Sequence, residues 1–401
     1  IFFLKVFSYP ESLVLFTLIG EKRTLNEITP KLNPDCSACS ENTTLIYIKA
    51  EGSHDTIHQL WDFTRGTPTI IYAVAGLNSS LQVQWTNNRP DRFNMSEDPQ
   101  YSFSVAISDL YEYNDLRDLG QMDRRSEYRA YPLRDLSWTR QDSVLTDQEV
   151  MLLMHVDRYR RGRQWVNGSI DIKLDLLPFR DYAVQLPHLI HTANSTLLDV
   201  QLVNLTSSRD YNSSRFALRL LLVGKDDWRG SMVRAMEKSL DDEHTPGVFE
   251  IIEVKTPRCV SRGAGGYLQF RPVAYTQRER SVTTSTVVHA SDFNSTHIPE
   301  TSTLFRFYRE YSNVELLIQD MVISFGEPGD GFYRQHNYTA WSSTVGYGAP
   351  PVETFSLFVV VIISVGLALP VLLALSAAVL LLVRRCRRLR PRLPPQRLTE
   401  E

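Results

Sequence analysis

Before residue 355, the hydrophobic residues of this chain fall into short runs that alternate with polar residues. The clearest run is 169–176, in which apolar and charged side chains alternate from position 170 onward. The same period of two recurs at 198–202 and 215–222. Because successive side chains of a strand point to opposite faces of a sheet, each run predicts a β-strand with one buried face and one solvent-facing face. On this interpretation Asp199 and Arg215 lie on the solvent-facing side.

Other short β-branched or aromatic runs extend this pattern along most of the chain. They are 45–49, 69–74, 81–85, 101–107, 150–156, 248–254, 268–274, 282–289 and 314–325. Turn-forming residues separate them, and no long helical periodicity precedes residue 355. We therefore predict a mainly-β region of antiparallel sheets packed face to face as a β-sandwich. The polar stretch 114–129 predicts a loop or short helix, and it suggests a subdivision near residue 140 into two packed sandwich subdomains.

The stretch 355–383 has a different pattern, because its 29 residues include no charged side chain. Roughly 20 apolar residues, at about 1.5 Å each, are enough for a helix to cross a bilayer. A buried core helix is the alternative, but such helices rarely run this far without a polar face. Six arginines follow between 384 and 392. Since basic residues at a membrane edge stay in the cytoplasm, we predict one span, with 21–354 outside the cytosol and 384–401 as a basic cytoplasmic tail.

At the other end of the chain, residues 12–20 form a short apolar run that is followed by three charged residues. This length is typical of the hydrophobic part of a secretion signal. We therefore predict a signal peptide within 1–20, and the initial Ile indicates that its start is missing. A second membrane span is the alternative, although the run is too short for one.

Nine Asn-x-Ser/Thr triplets precede the predicted span, and none follows it. The acceptors are Asn42, Asn78, Asn94, Asn167, Asn194, Asn204, Asn212, Asn294 and Asn337. One triplet is weak support for N-glycosylation, because such triplets also arise by chance. Nine on the side that the arginines independently place outside the cytosol predict a heavily glycosylated luminal region.

The net charge of −3 hides an asymmetry along the chain. The tail from Arg384 carries seven Arg and two Glu, a net +5, so the preceding residues carry −8. A nucleic-acid-binding protein would place its basic residues on the folded part. The charge pattern therefore argues against nucleic acid as a partner.

The four cysteines are distributed unevenly. Cys36 and Cys39 form a C-x-x-C motif, for which a local disulfide is favoured over redox or zinc chemistry in an oxidising lumen. Cys386 lies between arginines at the predicted membrane edge. We predict it as a palmitoylation site, with an unmodified thiol as the alternative.

The candidate catalytic and metal-binding patterns are weak. His54 and His58 have the spacing of a zinc-protease motif, but the flanking strand-like runs predict a hairpin, in which the two rings cannot share a metal. The acidic triplet at 241–243 could bind calcium or an arginine-bearing partner, or form a solvated turn. The glycine-rich stretch 263–266 precedes a strand and predicts a turn. We therefore predict no enzyme activity, no cofactor and no metal.

Six stretches of the chain carry a family resemblance. They are YIKAEGSHDTIHQLW at 47–61, PHLIHTANSTLLDVQL at 187–202, SLDDEHTPGVF at 239–249, GYLQFRPVAY at 266–275, FGEP at 325–328 and YGAPPVETF at 347–355. In sequence and in order they resemble the glycosylated lysosomal membrane protein family, and specifically an invertebrate-like member. The arrangement of signal, glycosylated lumen, single span and short tail is similar too.

The resemblance implies a type I single-pass protein of the lysosomal membrane. It also implies a non-enzymatic accessory subunit, which binds a lysosomal transporter of the major facilitator superfamily that exports dipeptides and protects it from luminal proteases. This chain has fewer luminal cysteines than the family's disulfide framework implies. Cys259 would therefore pair with Cys36 or Cys39 or stay free. Two other functions remain open, namely a membrane-tethered luminal hydrolase and a cell-surface adhesion or receptor glycoprotein.

Overall fold

The structure is a computed structural model, in which contacts divide the chain into two compact units, Ile1–Val352 and Glu353–Glu401. It describes residues 25–180, 182–238, 250–311, 315–352 and 357–388. The predicted signal peptide, the acidic triplet at 241–243 and the tail beyond residue 388 lie outside the described residues.

The first unit consists mainly of β-strands. They are β1 (Leu25–Leu32), β2 (Leu45–Gly52), β3 (Thr56–Asp62), β4 (Thr69–Ala75), β5 (Leu81–Thr86), β6 (Arg89–Met95), β7 (Tyr101–Asn114), β8 (Glu127–Pro132), β9 (Thr139–Leu145), β10 (Val150–Arg161), β11 (Gln164–Leu176), β12 (Ser195–Val203), β13 (Ser214–Gly224), β14 (Val233–Lys238), β15 (Glu250–Lys255), β16 (Gly265–Phe270), β17 (Val273–Tyr275), β18 (Ser285–Ala290), β19 (Asn294–Ser295), β20 (Leu317–Phe325) and β21 (Tyr338–Gly348). Its short α-helices are α1 (Pro257–Arg262), α2 (Thr303–Tyr308) and α3 (Phe332–His336), and 3-10 turns occupy Leu133–Asp135, Val282–Thr284 and Arg309–Tyr311.

Two large antiparallel sheets organise these strands. Pairing in the first sheet runs β1-β2-β3-β4-β7-β13-β20, with β8 beside the second half of β7. Pairing in the second runs β9-β10-β11-β12-β21-β16-β15-β14. Strand β18 pairs with β17 of the second sheet and with β20 of the first, so hydrogen bonds join the two sheets. The predicted mainly-β, antiparallel architecture is confirmed.

The inward faces of the two sheets form the main hydrophobic core. Ile70 and Val105 of the first sheet line the same small interior gap as Ile172 and Leu198 of the second. Full burial of one such side chain contributes about 1.5–3 kcal/mol, so this contact between faces dominates the stability of the fold. Buried residues from both sides of position 140 belong to this core. The predicted subdivision there stays a prediction.

A third layer covers part of the outer face of the first sheet. The β5–β6 hairpin and α2 lie over β3 and β4, and Phe93 packs edge-on against Phe307 with ring centroids 5.7 Å apart. Every residue of β3 and of β4 is buried as a result. Because both faces of β3 are covered, its sequence shows no alternation, and it corresponds to the strand-like run on the far side of the hairpin predicted around His54.

Two predicted strands are interrupted in the structure. The predicted strand 268–274 is divided into β16 and β17, since Pro272 has no backbone N–H to donate to a ladder. The predicted strand 282–289 begins as the 3-10 turn Val282–Thr284 and becomes extended at β18. Within 114–129, the described chain is irregular until β8 begins at Glu127.

We predicted Arg215 on the solvent-facing side of its strand, but this prediction is wrong. Its side chain is only 3% exposed. It donates to Asp115 (Nε to Oδ2, 2.9 Å), Asp118 (Nη2 to Oδ1, 2.7 Å) and Asp330 (Nη1 to Oδ2, 3.0 Å). Its guanidinium also stacks on the ring of Phe332. One arginine thereby fastens two loops to β13, and the carboxylates compensate for its loss of hydration.

Asp199 is a second polar residue that we predicted at the surface and that is buried instead. Both of its carboxylate oxygens accept hydrogen bonds from Nη2 of Arg280, at 2.7 and 2.8 Å. Arg280 also donates to the carbonyl of Leu186 and to Ser342. The loop around Leu186 therefore covers the outer face of the second sheet, and the ion pair satisfies the polar atoms beneath it.

The second unit contains helix α4 (Leu357–Arg388). Its segment Val361–Arg385 is long and apolar enough to cross a membrane, and none of it is buried. Among the described residues, it is the one helix that meets these criteria. The predicted single C-terminal span is therefore supported, with Pro370 inside the helix.

We expect Arg215→Met to lower the free energy of unfolding by about 3–5 kcal/mol, because three carboxylates would lose their buried counter-charge. Arg129→Met is the matched control, since Arg129 pairs with Asp210 at the surface and should cost less than about 1 kcal/mol. Urea denaturation of the detergent-solubilised chain measures both. Equal effects of the two substitutions would show that the Arg215 cluster does not stabilise the fold.

Candidate functional site

The predicted glycan acceptors differ in exposure. Seven are exposed, namely Asn42, Asn78, Asn167, Asn204, Asn212, Asn294 and Asn337. Asn94 and Asn194 are partly buried. A glycan is bulky and hydrophilic, so an acceptor must face solvent in the folded protein. The fold therefore accommodates sugar at the seven exposed positions, and occupancy of all nine stays a prediction.

Four exposed acceptors, far apart in sequence, lie together at one end of the sandwich. The amide of Asn204 donates to the carbonyl of Asn337 (2.8 Å), and Thr206 donates to the carbonyl of Asn167. Arg334 donates to the carbonyl of Asn212 at 3.0 Å. Asn204, Asn212 and Asn337 also line one open surface cavity of about 520 Å³. We call this region, defined by the four acceptors, the sugar end.

The chain leaves the sandwich at the opposite end of β21. This strand begins at Tyr338, beside the sugar end, and ends at Gly348 after 11 residues. At about 3.3 Å per residue, the two ends lie about 35 Å apart. We call the region around Gly348 the exit end, because the chain continues from there to α4.

Exposed apolar side chains lie at the exit end. Trp228 is 57% exposed and Val260, in α1, is 53% exposed. Both belong to this end because Sγ of Cys259, in α1, lies 3.4 Å from the carbonyl oxygen of Gly348, and because the ring of Tyr101 packs beside Tyr347 while its hydroxyl hydrogen-bonds with Asp226, near Trp228. Exposed tryptophan is unusual on a solvated surface and is enriched in protein interfaces.

The cysteines take up three different positions. Cys36 and Cys39 form a disulfide before β2. Cys259 is free and buried in α1, and burial raises the pKa of its thiol to about 11, so it is not a reactive thiolate. Cys386 lies within α4, but its side chain is outside the described part of the structure. Its palmitoylation stays a prediction.

The arrangement nearest to a catalytic one involves His58. Its Nδ1 and the hydroxyl of Tyr47 are 2.7 Å apart, and its Nε2 and the hydroxyl of Ser79 are 2.8 Å apart. A nucleophile, base and orienting group have this connectivity in hydrolases. Here His58 is 0% and Ser79 only 3% exposed, so no substrate reaches the hydroxyl. His54 is exposed in the β2–β3 turn.

The predicted metal patterns find no support in the described residues. No group of three or more His, Cys, Asp or Glu side chains there could hold a metal ion. Gly263 ends α1 in the left-handed conformation, at φ 69°, and β16 follows at Gly265. The glycine-rich stretch thus terminates a short helix, a conformation for which glycine is favoured.

A basic cleft of about 710 Å³ is a feature that we did not predict from the sequence. It lies on the outer face of β7 and β13, and its charged side chains are Arg65, Arg89, Arg134, Arg219, Asp109 and Asp135. These residues come from five separate segments of the chain. No spacing in the sequence could have indicated them, because only the fold brings the segments together.

Comparison with known proteins agrees with this architecture. A family model described as "Glycosylated lysosomal membrane protein" matches residues 44–388. The chain is 28% identical over 363 residues to Glycosylated lysosomal membrane protein A of Xenopus laevis. The aligned region covers 86% of this chain and 87% of the relative. It is 28% identical over 384 residues to the Bos taurus protein of the same family name (92% and 91% covered) and 26% identical over 381 residues to the Homo sapiens protein (92% and 90%). The similarity includes both the sandwich and the apolar helix.

We expect Asn337→Gln to remove one glycan, because Asn337 is exposed at the sugar end. Asn194→Gln should change the gel mobility little, since Asn194 is partly buried beside Tyr347. Gel mobility before and after enzymatic deglycosylation measures both, and glycopeptide mass spectrometry confirms the site. A full glycan at Asn194 and none at Asn337 would contradict the link between exposure and occupancy.

Burial, and next the charge of Lys49, lowers the pKa of His58 to about 4 from its ordinary 6.5. Below pH 6.5 the unfolded chain takes up a proton that the folded chain refuses, so this residue should remove about 3 kcal/mol of stability between pH 7 and pH 4. His58→Gln, which does not titrate, should show a correspondingly smaller loss on acidification. Urea denaturation at both pH values measures it.

His54→Gln is the control for replacing a histidine in the same hairpin, since His54 is exposed there and its replacement should cost little stability at pH 7. If His58→Gln retained the full pH dependence of the unsubstituted chain, His58 would not be the titrating group.

Proposed function

We propose a function from the premise that this chain belongs to the glycosylated lysosomal membrane protein family. It is a single-pass lysosomal membrane protein with a large N-terminal luminal region and one C-terminal helix. We propose that it acts as a non-enzymatic accessory subunit, which binds a lysosomal dipeptide transporter of the major facilitator superfamily and protects it from luminal proteolysis.

The build of the luminal region supports a protective role. Proteases cut exposed, mobile backbone, whereas about half of the described luminal residues are hydrogen-bonded into β-sheets. Glycans at the exposed acceptors would add bulk that keeps a protease away from the surface and from whatever the surface covers. A partner whose luminal loops lie beneath this sandwich would share that protection.

One observation carries the proposal: Trp228 and Val260 are exposed at the exit end, at the other end of the sandwich from the four acceptors of the sugar end. A partner embedded in the membrane would meet the luminal region where the chain continues toward its own helix. Burial of an exposed tryptophan and aliphatic side chains supplies the affinity in typical protein interfaces.

The alternative of a tethered hydrolase receives less support. The relatives are named as membrane proteins and not as enzymes. The Ser79–His58 pair is buried, and in the basic cleft the hydroxyl of Ser108 donates to Asp109 (2.7 Å), a carboxylate that is already paired with Arg219. We therefore place the function in binding and protection.

Mild-detergent purification of the tagged chain should recover a multi-span carrier, and deletion of the chain should shorten the carrier's lifetime. Quantitative mass spectrometry and a pulse-chase of the carrier measure these two effects. Unchanged carrier abundance and lifetime after deletion would contradict the protective role.

Docking at the exit end is tested separately with the double substitution Trp228→Ser and Val260→Ser. This variant should reduce recovery of the carrier about tenfold. Val282→Ser is the matched control, because Val282 is 56% exposed but lies away from the exit end, between β17 and β18. Equal recovery of the carrier with all variants would show that the docking surface is not at the exit end. It would not contradict the protective role.

A further inference from the structure

The basic cleft has a defined floor and walls. Ala106 of β7 and Leu221 of β13 form part of an apolar floor, together with Leu304 of α2. The walls come from the β3–β4 loop, the start of β6, the turn Leu133–Asp135 and the segment 296–302. A volume of about 710 Å³ lies within the range of small-molecule sites, which combine an apolar lining with a few polar groups.

The charges of the cleft are unbalanced. Its lining contains four arginines and two aspartates, a net +2. Arg219 is neutralised, because it donates to Asp320 (Nε to Oδ2, 3.0 Å) and to Asp109 (Nη1 to Oδ2, 3.3 Å). Arg134 lies 3.9 Å from Asp135, at the limit of an ion pair. Arg65 and Arg89 are the wall arginines that have no ion-pair partner among the described residues.

Arg65 is the most constrained of these cations. Its Nη2 donates to the carbonyl of Pro90 at 2.9 Å, while its Nε is buried with no hydrogen-bond partner among the described residues. Burial, then the nearby charges of Arg306 and Arg89, lower the pKa of the Arg65 guanidinium, and the carboxylates of Asp62 and Asp91 oppose this only in part. An anion in the cleft would reduce the remaining repulsion between these cations.

Arg89 is placed to meet such an anion directly. It is exposed, and its guanidinium has no hydrogen-bond or ion-pair partner within the described ranges. Arginine presents a planar fork of donors that matches the geometry of carboxylate and phosphate groups. A guanidinium at the rim can therefore close over the ligand, while Arg65 holds its charged group from the side.

We propose that the basic cleft binds a compact organic anion, a carboxylate- or phosphate-bearing molecule of about monosaccharide size. Arg65 and Arg89 hold the anionic group, and the apolar floor contacts the body of the ligand. The same chemistry could come from a free acidic metabolite or from the terminal acidic sugar of a glycan. The site lies apart from both the sugar end and the exit end, so it does not depend on the proposed transporter partner.

Isothermal titration of the full-length chain in detergent tests this proposal with matched probes. Glucuronate and glucose 6-phosphate supply the anionic groups on a common scaffold, and glucose is the neutral control. Sialyllactose against lactose tests the glycan source. We expect at least one anionic probe to bind about tenfold or more tightly than its neutral control, and its affinity to fall with added salt. Equal binding of anionic and neutral probes, or no binding of any, would overturn the proposal.

Arg89→Gln should weaken binding of the preferred anion about tenfold, and because Arg89 is exposed, the variant should fold normally. Arg163→Gln removes the same charge from an exposed position outside the cleft and should leave the affinity unchanged. Equal weakening by both substitutions would show that net charge alone attracts the ligand, and would overturn the assignment to the cleft. Arg89→Gln should leave recovery of the carrier unchanged. This result would distinguish the basic cleft from docking at the exit end.

Discussion

The position of β21 at the centre of the second sheet determines how the rest of the luminal region is arranged. The strand pairs along nine residues with β12 on one side and with β16 and β17 on the other. A ladder of this length fixes register, since a slip of one residue would turn every core side chain toward solvent. The same strand begins beside the sugar end and finishes where the chain leaves for the membrane. Its length therefore sets the separation between the four acceptors of the sugar end and the exposed Trp228 and Val260 at the exit end.

Around this frame, polar side chains are used to fasten loops onto strands. Arg215 holds two loops through three aspartates, and Asp199 holds the loop around Leu186 through Arg280. Burying such an ion pair costs desolvation free energy. The attraction between the charges offsets this cost only when every donor and acceptor is hydrogen-bonded. These ion pairs add less net stability than the hydrophobic core, but they select one loop conformation. A region that works among proteases benefits from loops held in this way.

The family, the fold and the charge pattern independently support the same membrane topology. Relatives named as lysosomal membrane proteins match both the sandwich and the helix. The acceptor triplets belong to the sandwich and the arginines follow the apolar helix, so the acceptors and the basic charge lie on opposite sides of a single span. The basic cleft is not explained by topology. It is a local excess of cations within a region whose overall charge is acidic.

Features that depend on neighbouring residues could be determined from the sequence alone. The apolar helix, the arginines after it and the alternating strands such as β11 are local patterns, and the acceptor triplets are local by definition. What the tertiary structure alone decided depends on residues far apart in the chain. Strand β3 lacks the alternation of β11 because a third layer buries both of its faces, and Arg215 turned inward because Asp115 and Asp330 meet it from loops about a hundred residues away. The clustering of four acceptors and the convergence of arginines on one cleft likewise follow from strand pairing, whose long-range contacts no local pattern encodes.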